Sequence, residues 1–528
     1  MALPERVMSV MMSEKEKRKI TGKVWLVGAG PGAPDLLTIK AKRVIEQADV
    51  VVYDALVGES VINLIPKAAE KIYVGKRAGN HTMPQEEIGR LLISLAQQGK
   101  KVVRLKGGDP FLFGRGGEEL ELLEQKGIFF EVVPGVTSAL AVPAYFGIPV
   151  THRGLASSVH IVTGHRKKGE PPGINFRALR EAGGTLVFLM GVSVLHDIIN
   201  GLLEAGMEPE MPAAVLQRGT CGRQKKISGT LATLEREVNR QGVSTPAVIV
   251  VGEVVSLGGR FAWFEKLPLF GKSFLVTRPG ERSRECAERL RELGAEVVEA
   301  PAIKTEGIHP NRALRREVLR LAEYRYLVFT SPAGVAEFMR ELPDMGKDVR
   351  QLGGILVAAI GSGTAKALRQ YGIVADLVPE VYSGKALGAL LAEHCAEGDR
   401  VLLARSDIGN PELITELRKE KDIKVTDVAV YRTIIGEIDG AEENAPGSYG
   451  QTAEAAYGAD GVFFTSASTV RGFTSMYGGM DFSKVQALCI GEMTAREAQK
   501  YGMQVRIAKR ADMESLVELA VEGTAMAP

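Results

Sequence analysis

The stretch KVWLVGAGPGAPDLLTIKAKRVIEQADVVVYD, residues 23–54, decides the architecture of the first half of the chain. Lys23–Gly28 is a short apolar run closed by glycine, Leu36–Ala48 carries apolar residues at helical spacing, and Asp49–Asp54 is a second apolar run. Such a succession reads as β-α-β. Further strand candidates are Lys101–Leu105, Phe129–Val133, Val159–Val162, Thr185–Met190 and Ala247–Val251, so an α/β unit is expected over 22–265. The glycines, proline and clustered aromatics of GGRFAWFEKLPLFG (258–271) break the alternation and place a linker at 266–271. Beyond it, strand candidates end at Thr277, Ile303, Ser331, Ile360, Val378, Arg405, Thr433, Ser466, Ile490 and Ala508, and the second half is again α/β. FTSPAGVAEF (329–338) echoes FTSASTVRGF (464–473), and AIGSGTAKALRQYG (359–372) echoes CIGEMTAREAQKYG (489–502), which predicts two similar lobes. Asp439–Asp460, rich in Ala, Gly and Glu, reads as a surface insertion.

With 528 residues the chain exceeds one hydrophobic core and suggests a multidomain enzyme. Its 60 glycines imply many tight strand-to-helix turns. The 66 Lys and Arg nearly balance 64 Asp and Glu, which excludes a global basic field for nucleic acid. Cys221, Cys286, Cys395 and Cys489 lie far apart and predict buried thiols in a reducing compartment, with neither a zinc site nor a disulfide framework. No apolar run reaches the roughly 18–20 residues that span a bilayer. Residues 1–21 read as a flexible leader, and a cytoplasmic protein is expected.

GAGPGA at 28–33 satisfies the G-x-G-x-x-G/A pattern of dinucleotide sites, yet Pro31 removes a backbone N–H from a loop that in those sites offers such groups to pyrophosphate. A loop packed against a thioether or adenosine tolerates that loss better. A second glycine cluster, KGGDPFLFGRGGEE (106–119), also follows a strand, and there Asp109 is placed either to accept from a ribose or to organise neighbouring N–H groups. Either loop alone fits an ordinary β-α turn; two at strand ends of one unit favour a ligand crevice.

These segments, with VGKRAGNHTMPQEEI (74–88), VVPGVTSALAVPAYFGIPVTHR (132–153), TGHR (163–166), FLMG (188–191) and STPAVIVVGEVV (244–255), resemble uroporphyrinogen-III C-methyltransferases from about 22 to 264. The resemblance implies a class III methyltransferase fold of two α/β lobes, S-adenosyl-L-methionine as cofactor, and a homodimer. It carries cofactor binding onto Pro31, Gly107, Gly108, Asp109, Leu112, Thr137, Ser138, Met190 and Gly219, and an acid–base pair onto Asp54 and Lys76. Asp54 also suits a plain turn cap. Because the substrate is ringed by carboxylates, Lys76, Arg77, Arg104, Lys106, Arg115, Arg153 and Arg166 are candidate substrate-binding cations. His81, His152 and His165 fit no metal-ligand spacing, and no metal is expected.

From 272 to about 524, FLVTRP (274–279), VFTSPAGV (328–335), AAIGSGTAKAL (358–368), VYSGKAL (381–387), VLLARSD (401–407), VAVYRT (428–433), FFTSASTVRGF (463–473) and CIGEMTAREA (489–498) resemble uroporphyrinogen-III synthases. This implies two flavodoxin-like lobes joined by a two-stranded connection, one over 272–303 and 434–524, the other over 306–431. Ser331, Ser362, Thr364, Ser466 and Thr494, at helix starts, are candidate carboxylate-binding hydroxyls or ordinary N-caps. Tyr431 matches a tyrosine that the family places near the leaving hydroxyl, where it would act as a weak acid. Together the resemblances imply that the second half cyclises hydroxymethylbilane to uroporphyrinogen III and the first methylates it twice to precorrin-2, bound for siroheme, cobalamin or another tetrapyrrole. No segment resembles a dehydrogenase–ferrochelatase module. The rival readings are an NAD-dependent oxidoreductase in the first half and a non-catalytic binding module in the second.

Overall fold

The computed structural model describes residues 22–75, 83–164, 173–277, 281–435, 455–456 and 458–524. The first sheet comprises β1 (Lys23–Gly28), β2 (Val50–Tyr53), β3 (Glu70–Tyr73), β4 (Lys101–Lys106) and β5 (Phe130–Val133), all parallel, in the order β3-β2-β4-β1-β5. Its strands are nearly continuous apolar runs because both faces are covered. Val24, Val50, Val52 and Val102 pack under Ile88, Leu92 and Leu95, while Val27, Val51, Val103 and Leu105 pack under Val44, Ile45 and Val61.

A second sheet holds β6 (Val159–Thr163), β7 (Thr185–Leu189), β8 (Pro212–Gln217), β9 (Lys225–Thr230) and β10 (Ala247–Val251), in the order β6-β7-β10-β8-β9. Only its β6–β7 pair is parallel. The segment after it is well packed. Phe264 and Leu269 are buried, and the Tyr145 ring lies 5.0 Å from the rings of both Trp263 and Phe264.

In the second half, β11 (Ser273–Val276), β12 (Glu296–Glu299), β18 (Gly461–Phe464), β19 (Gln486–Cys489) and β20 (Gln504–Ile507) form a parallel sheet in the order β12-β11-β18-β19-β20. Counted along the chain this is the 2-1-3-4-5 order of flavodoxin-like sheets. Between β12 and β18 the chain builds the other lobe from β13 (Ile303–Gly307), β14 (Tyr326–Phe329), β15 (Leu356–Ala359), β16 (Arg400–Ser406) and β17 (Lys424–Ile435), in the order β13-β17-β16-β14-β15. The crossing strands β13 and β17 pair antiparallel, with Ile303 opposite Ile435 and Gly307 opposite Tyr431. The two echoes fall on equivalent steps, since β14–β15 and β18–β19 are each a parallel neighbouring pair that brackets an FTS-initiated helix.

Three differences from the sequence reading have physical causes. Ile303 begins a strand instead of ending one, because the chain leaves the third sheet at Glu299 and crosses to the fourth there. The strand expected to end at Val378 is reduced to a single bridge between Ala358 and Leu377. The unforeseen β3 and β9 are edge strands whose polar residues hide the strand signal.

Candidate functional site

At the carboxyl ends of β4, β1 and β5 three loops meet backbone to backbone. Gly30 and Gly108 exchange N–H···O bonds of 3.2 and 2.8 Å, and Ala29 N donates to Lys106 O at 2.7 Å. A Cβ on Gly28 would stand 2.5 Å from Gly135 Cα and 2.6 Å from Gly108 O, so the approach requires glycine. Asp109 ties the knot: Oδ1 accepts from Phe111 N (2.9 Å) and Leu112 N (3.2 Å), and Oδ2 accepts from Gly135 N (3.1 Å). Of its two expected uses, organising backbone N–H groups is the one observed here.

Gly108 is left-handed (φ +65°), and a Cβ there would meet nothing nearer than Ser138 N at 3.9 Å. At Gly108 the second glycine loop thus faces the start of the helix Ser138–Tyr145 with room for a Cβ between them, and the helix N-cap Thr137 accepts from Ala139 N at 3.3 Å. Pro31 sits in the first loop, and Leu112, partly buried, packs against the core that includes Val142, Val187 and Leu216. Gly219 follows β8 and is pressed against Val142, where a Cβ would lie 2.5 Å from Cγ1. Met190 follows β7, half exposed and left-handed at φ +54°. The non-glycine residues with positive φ, among those described, are Phe113, Arg115, Met190, Arg218 and Thr220. Met190 is a candidate cofactor residue, and Phe113, Arg218 and Thr220 each adjoin one, as held strain at a ligand clamp does.

Sequence reasoning passed over Thr220 and Glu119. Thr220 Oγ1 accepts from Ala33 N of the first loop at 3.3 Å, and Arg218 beside it pairs with Glu296 of the second half at 3.0 Å. Glu119 is fully buried, and its Oε1 receives Arg104 Nε (3.3 Å), Lys106 Nζ (2.8 Å) and Gln85 Nε2 (2.6 Å). This corrects the assignment of Arg104 and Lys106 to substrate. Both side chains point from the central strand β4 into the layer under the helix Gly116–Gln125, where Glu119 pairs with both. Burial and the neighbouring Arg104 guanidinium hold the Lys106 amine below its usual range, partly offset by Glu119 and Asp54. Asp54 caps its own turn through Leu56 N (3.1 Å) and pairs with Arg104 Nη2 (3.2 Å), leaving it one quarter exposed. Arg115 is exposed and clasps Glu118 at 2.6 Å, while Arg153 is exposed. Lys76, Arg77, His81, His165 and Arg166 lie outside the described residues.

In the second half, Ser331 Oγ caps the helix Pro332–Asp344 through Gly334 N (3.0 Å) and shares a 2.9 Å bond with the hydroxyl of Tyr431. Around Tyr431, Asp407 N donates to Tyr431 O (3.1 Å) and Thr433 N donates to Asp407 Oδ1 (3.0 Å). Ser362 is exposed at the start of its helix, whereas Ser466 caps the helix Ala467–Met476 through Thr469 N at 3.3 Å. Thr364 and Thr494 are buried, at 3% and 4% exposure, which corrects their assignment to substrate.

Residues 23–235 match the family of tetrapyrrole (corrin/porphyrin) methylases, and residues 284–518 match uroporphyrinogen-III synthase HemD. The porphyrin biosynthesis protein HemD of Ruminiclostridium josui is 44% identical over 95% of this chain and 98% of its own length. The chain belongs to both families. It is a bifunctional tetrapyrrole-biosynthesis enzyme with a methyltransferase half and a synthase half. The uroporphyrinogen-III C-methyltransferase of Bacillus subtilis (strain 168) is 40% identical over 68% of this chain and 74% of its own. A uroporphyrin-III C-methyl transferase structure from Thermus thermophilus, complexed with S-adenyl homocysteine, is 44% identical and covers 44% of this chain and 99% of that one, with a TM-score of 0.39.

Proposed function

We propose that the synthase half closes hydroxymethylbilane to uroporphyrinogen III with inversion of the last ring, and that the methyltransferase half then converts it to precorrin-2. The division between the two falls at 266–271. S-adenosyl-L-methionine supplies the methyl group as an electrophilic sulfonium. The observation that carries the reading is the site where two interlocked glycine loops meet at the strand ends, with Gly108 facing the N–H of Ser138. Its residues fit that cofactor: backbone groups to hold a nucleoside, a thioether at Met190, and a proline where a pyrophosphate site needs an N–H. Aligning the attacking pyrrole carbon with the methyl group provides most of the acceleration. Asp54 takes the proton that leaves the methylated ring, with Lys76 as its partner. An NAD-dependent oxidoreductase would have no use for the second glycine loop, whose Asp109 is spent on the N–H groups of Phe111, Leu112 and Gly135.

In the synthase half, Tyr431 donates to the departing hydroxyl, while Ser331, Ser362 and Ser466 stand at helix starts whose N–H groups suit the substrate's carboxylates. The chain works as a homodimer through the methyltransferase half, in the cytoplasm; among the described residues no helix is long and apolar enough to cross a membrane.

The test supplies purified full-length chain with hydroxymethylbilane, with and without S-adenosylmethionine, and identifies products by mass and isomer. Type III uroporphyrinogen alone, and its dimethylated form with the cofactor, are expected. Methylation only of preformed uroporphyrinogen III would leave the second half a binding module.

A further inference from the structure

We infer that Arg104 is a positioning residue for methyl transfer: it holds the Asp54 carboxylate beside the second glycine loop through a buried charge network anchored on Glu119. The inference rests on the role of Asp54 proposed above.

The network contains two cations, Arg104 and Lys106, and two carboxylates, Asp54 and Glu119. Side-chain exposure is 3% for Arg104, 7% for Lys106 and 0% for Glu119, but 25% for Asp54. Asp54 is therefore the one member that reaches the solvent side. The two charges of each sign cancel, so no net charge is left buried.

Geometry makes Arg104 the bridge. Its Nε donates to Glu119 Oε1 at 3.3 Å, its Nη1 to Leu105 O at 3.0 Å, and its Nη2 to Asp54 Oδ2 at 3.2 Å. Bonds from all three nitrogens fix the plane of the guanidinium, a constraint that a lysine ammonium does not reproduce. Lys106 and Gln85 in turn fix the Glu119 oxygen on which that plane hangs. On the far side, Leu56 N holds Asp54 Oδ1 at 3.1 Å, so the carboxylate is gripped at both oxygens and its orientation is set from within the sheet. Gly107 completes the arrangement: a Cβ there would stand 2.6 Å from Leu56 Cβ, so the second glycine loop lies directly against the turn that Asp54 caps. A brace of this form serves a group that must not rotate while it receives a proton.

The experiment uses the full chain, in which S-adenosylmethionine affinity reports that the methyltransferase half is folded and cyclisation that the synthase half is. Arg104→Lys, Arg104→Gln, Asp54→Asn and the double variant Asp54→Asn/Arg104→Gln are compared for methylation kcat and KM, and for S-adenosylmethionine affinity by calorimetry. Arg104→Lys is expected to lower methylation kcat by about 10²-fold, the usual size for a misplaced group, while cofactor affinity and cyclisation hold. Arg104→Gln is expected to add no further loss once Asp54 is asparagine, since one effect acts through the other. Full kcat in Arg104→Lys, or an Arg104→Gln loss that multiplies with that of Asp54→Asn, overturns the inference while leaving the role of Asp54 standing. A wild-type rate in Asp54→Asn alone removes that role and this inference together. Should Arg104→Gln fail to fold, Arg104→Lys decides.

Discussion

Gly135→Ala is the sharpest probe of the methyltransferase crevice. A Cβ at Gly135 would stand 2.2 Å from Gly108 O and 2.7 Å from Gly28 Cα. Non-bonded heavy atoms settle at about 3.5 Å, so the loops must part by about 1 Å. The obstructing atoms are backbone on both sides, and no side chain is free to swing away. Separation also draws Gly135 N from Asp109 Oδ2, now 3.1 Å apart, and with it the anchor of Phe111 and Leu112. Overpacking of this kind costs about 1–3 kcal/mol, and a displacement of about 1 Å at a site that aligns two reactants costs about 10²-fold in rate. One preparation is assayed for methylation of preformed uroporphyrinogen III, for S-adenosylmethionine affinity by calorimetry, and for cyclisation of hydroxymethylbilane. Methylation is expected to fall by about 10²-fold and affinity to weaken, while cyclisation, on separate sheets, holds. Methylation and affinity both at wild-type level would refute the claim that the meeting of these backbones forms the crevice.

Asp109→Asn turns an amide N–H toward Gly135 N–H, a donor facing a donor, and is expected to cost about 1–3 kcal/mol; thermal unfolding and methylation kinetics read the loss, with cyclisation unchanged. Tyr431→Phe removes the hydroxyl bonded to Ser331 and is expected to slow cyclisation by about 10²-fold, the low end for a positioned acid; stopped-assay product quantification checks it, and an unchanged rate assigns Tyr431 to packing. Glu59 lies near Glu296 and Glu299 of the synthase half, and burial, then those two carboxylates, raise its pKa above the usual 4.5, with Arg291 opposing. The folded protein therefore holds this proton more tightly than the unfolded chain. The contribution to stability is fullest below 4.5 and fades as pH rises through the raised value. Glu59→Gln should flatten that part of the pH dependence of the thermal midpoint, and parallel curves for variant and parent would count against the contact.

What the sequence showed of the fold depended on burial. Strands covered on both faces, such as β2 (VVVY) and β10 (AVIVV), are apolar runs and stand out. The edge strands β3 (EKIY) and β9 (KKISGT) carry charges toward solvent and do not, while β8 (PAAVLQ) is a central strand whose proline and alanines give little strand signal. The glycine loops were legible for a related reason: at Gly28 and Gly135 no side chain fits, so the residue type itself reports a close approach. Strain at Met190, Arg218 and Thr220 has no such marker, because ordinary residues there adopt a glycine-like backbone and only the surrounding packing enforces it.

Charge was the least legible property. In VVRLKGGDP, Arg104 and Lys106 stand beside the crevice in sequence and invite assignment to an anionic substrate. What decides their role is the face of β4 from which they project and the presence, 13 residues beyond Lys106, of a carboxylate that folds back over them. The same ambiguity separates Ser362 from Thr364, two residues apart in one helical turn, of which the first is exposed and the second buried. A cation next to a glycine loop thus says nothing of the ligand until its counter-ion is known. Once Glu119 is seen to pair with these two, the candidate cations left among the described residues are Arg115, already tied to Glu118, and Arg153. Two carboxylates, Glu119 and Asp54, thus take up both strand cations, and a residue's neighbours in sequence give no hint of that pairing.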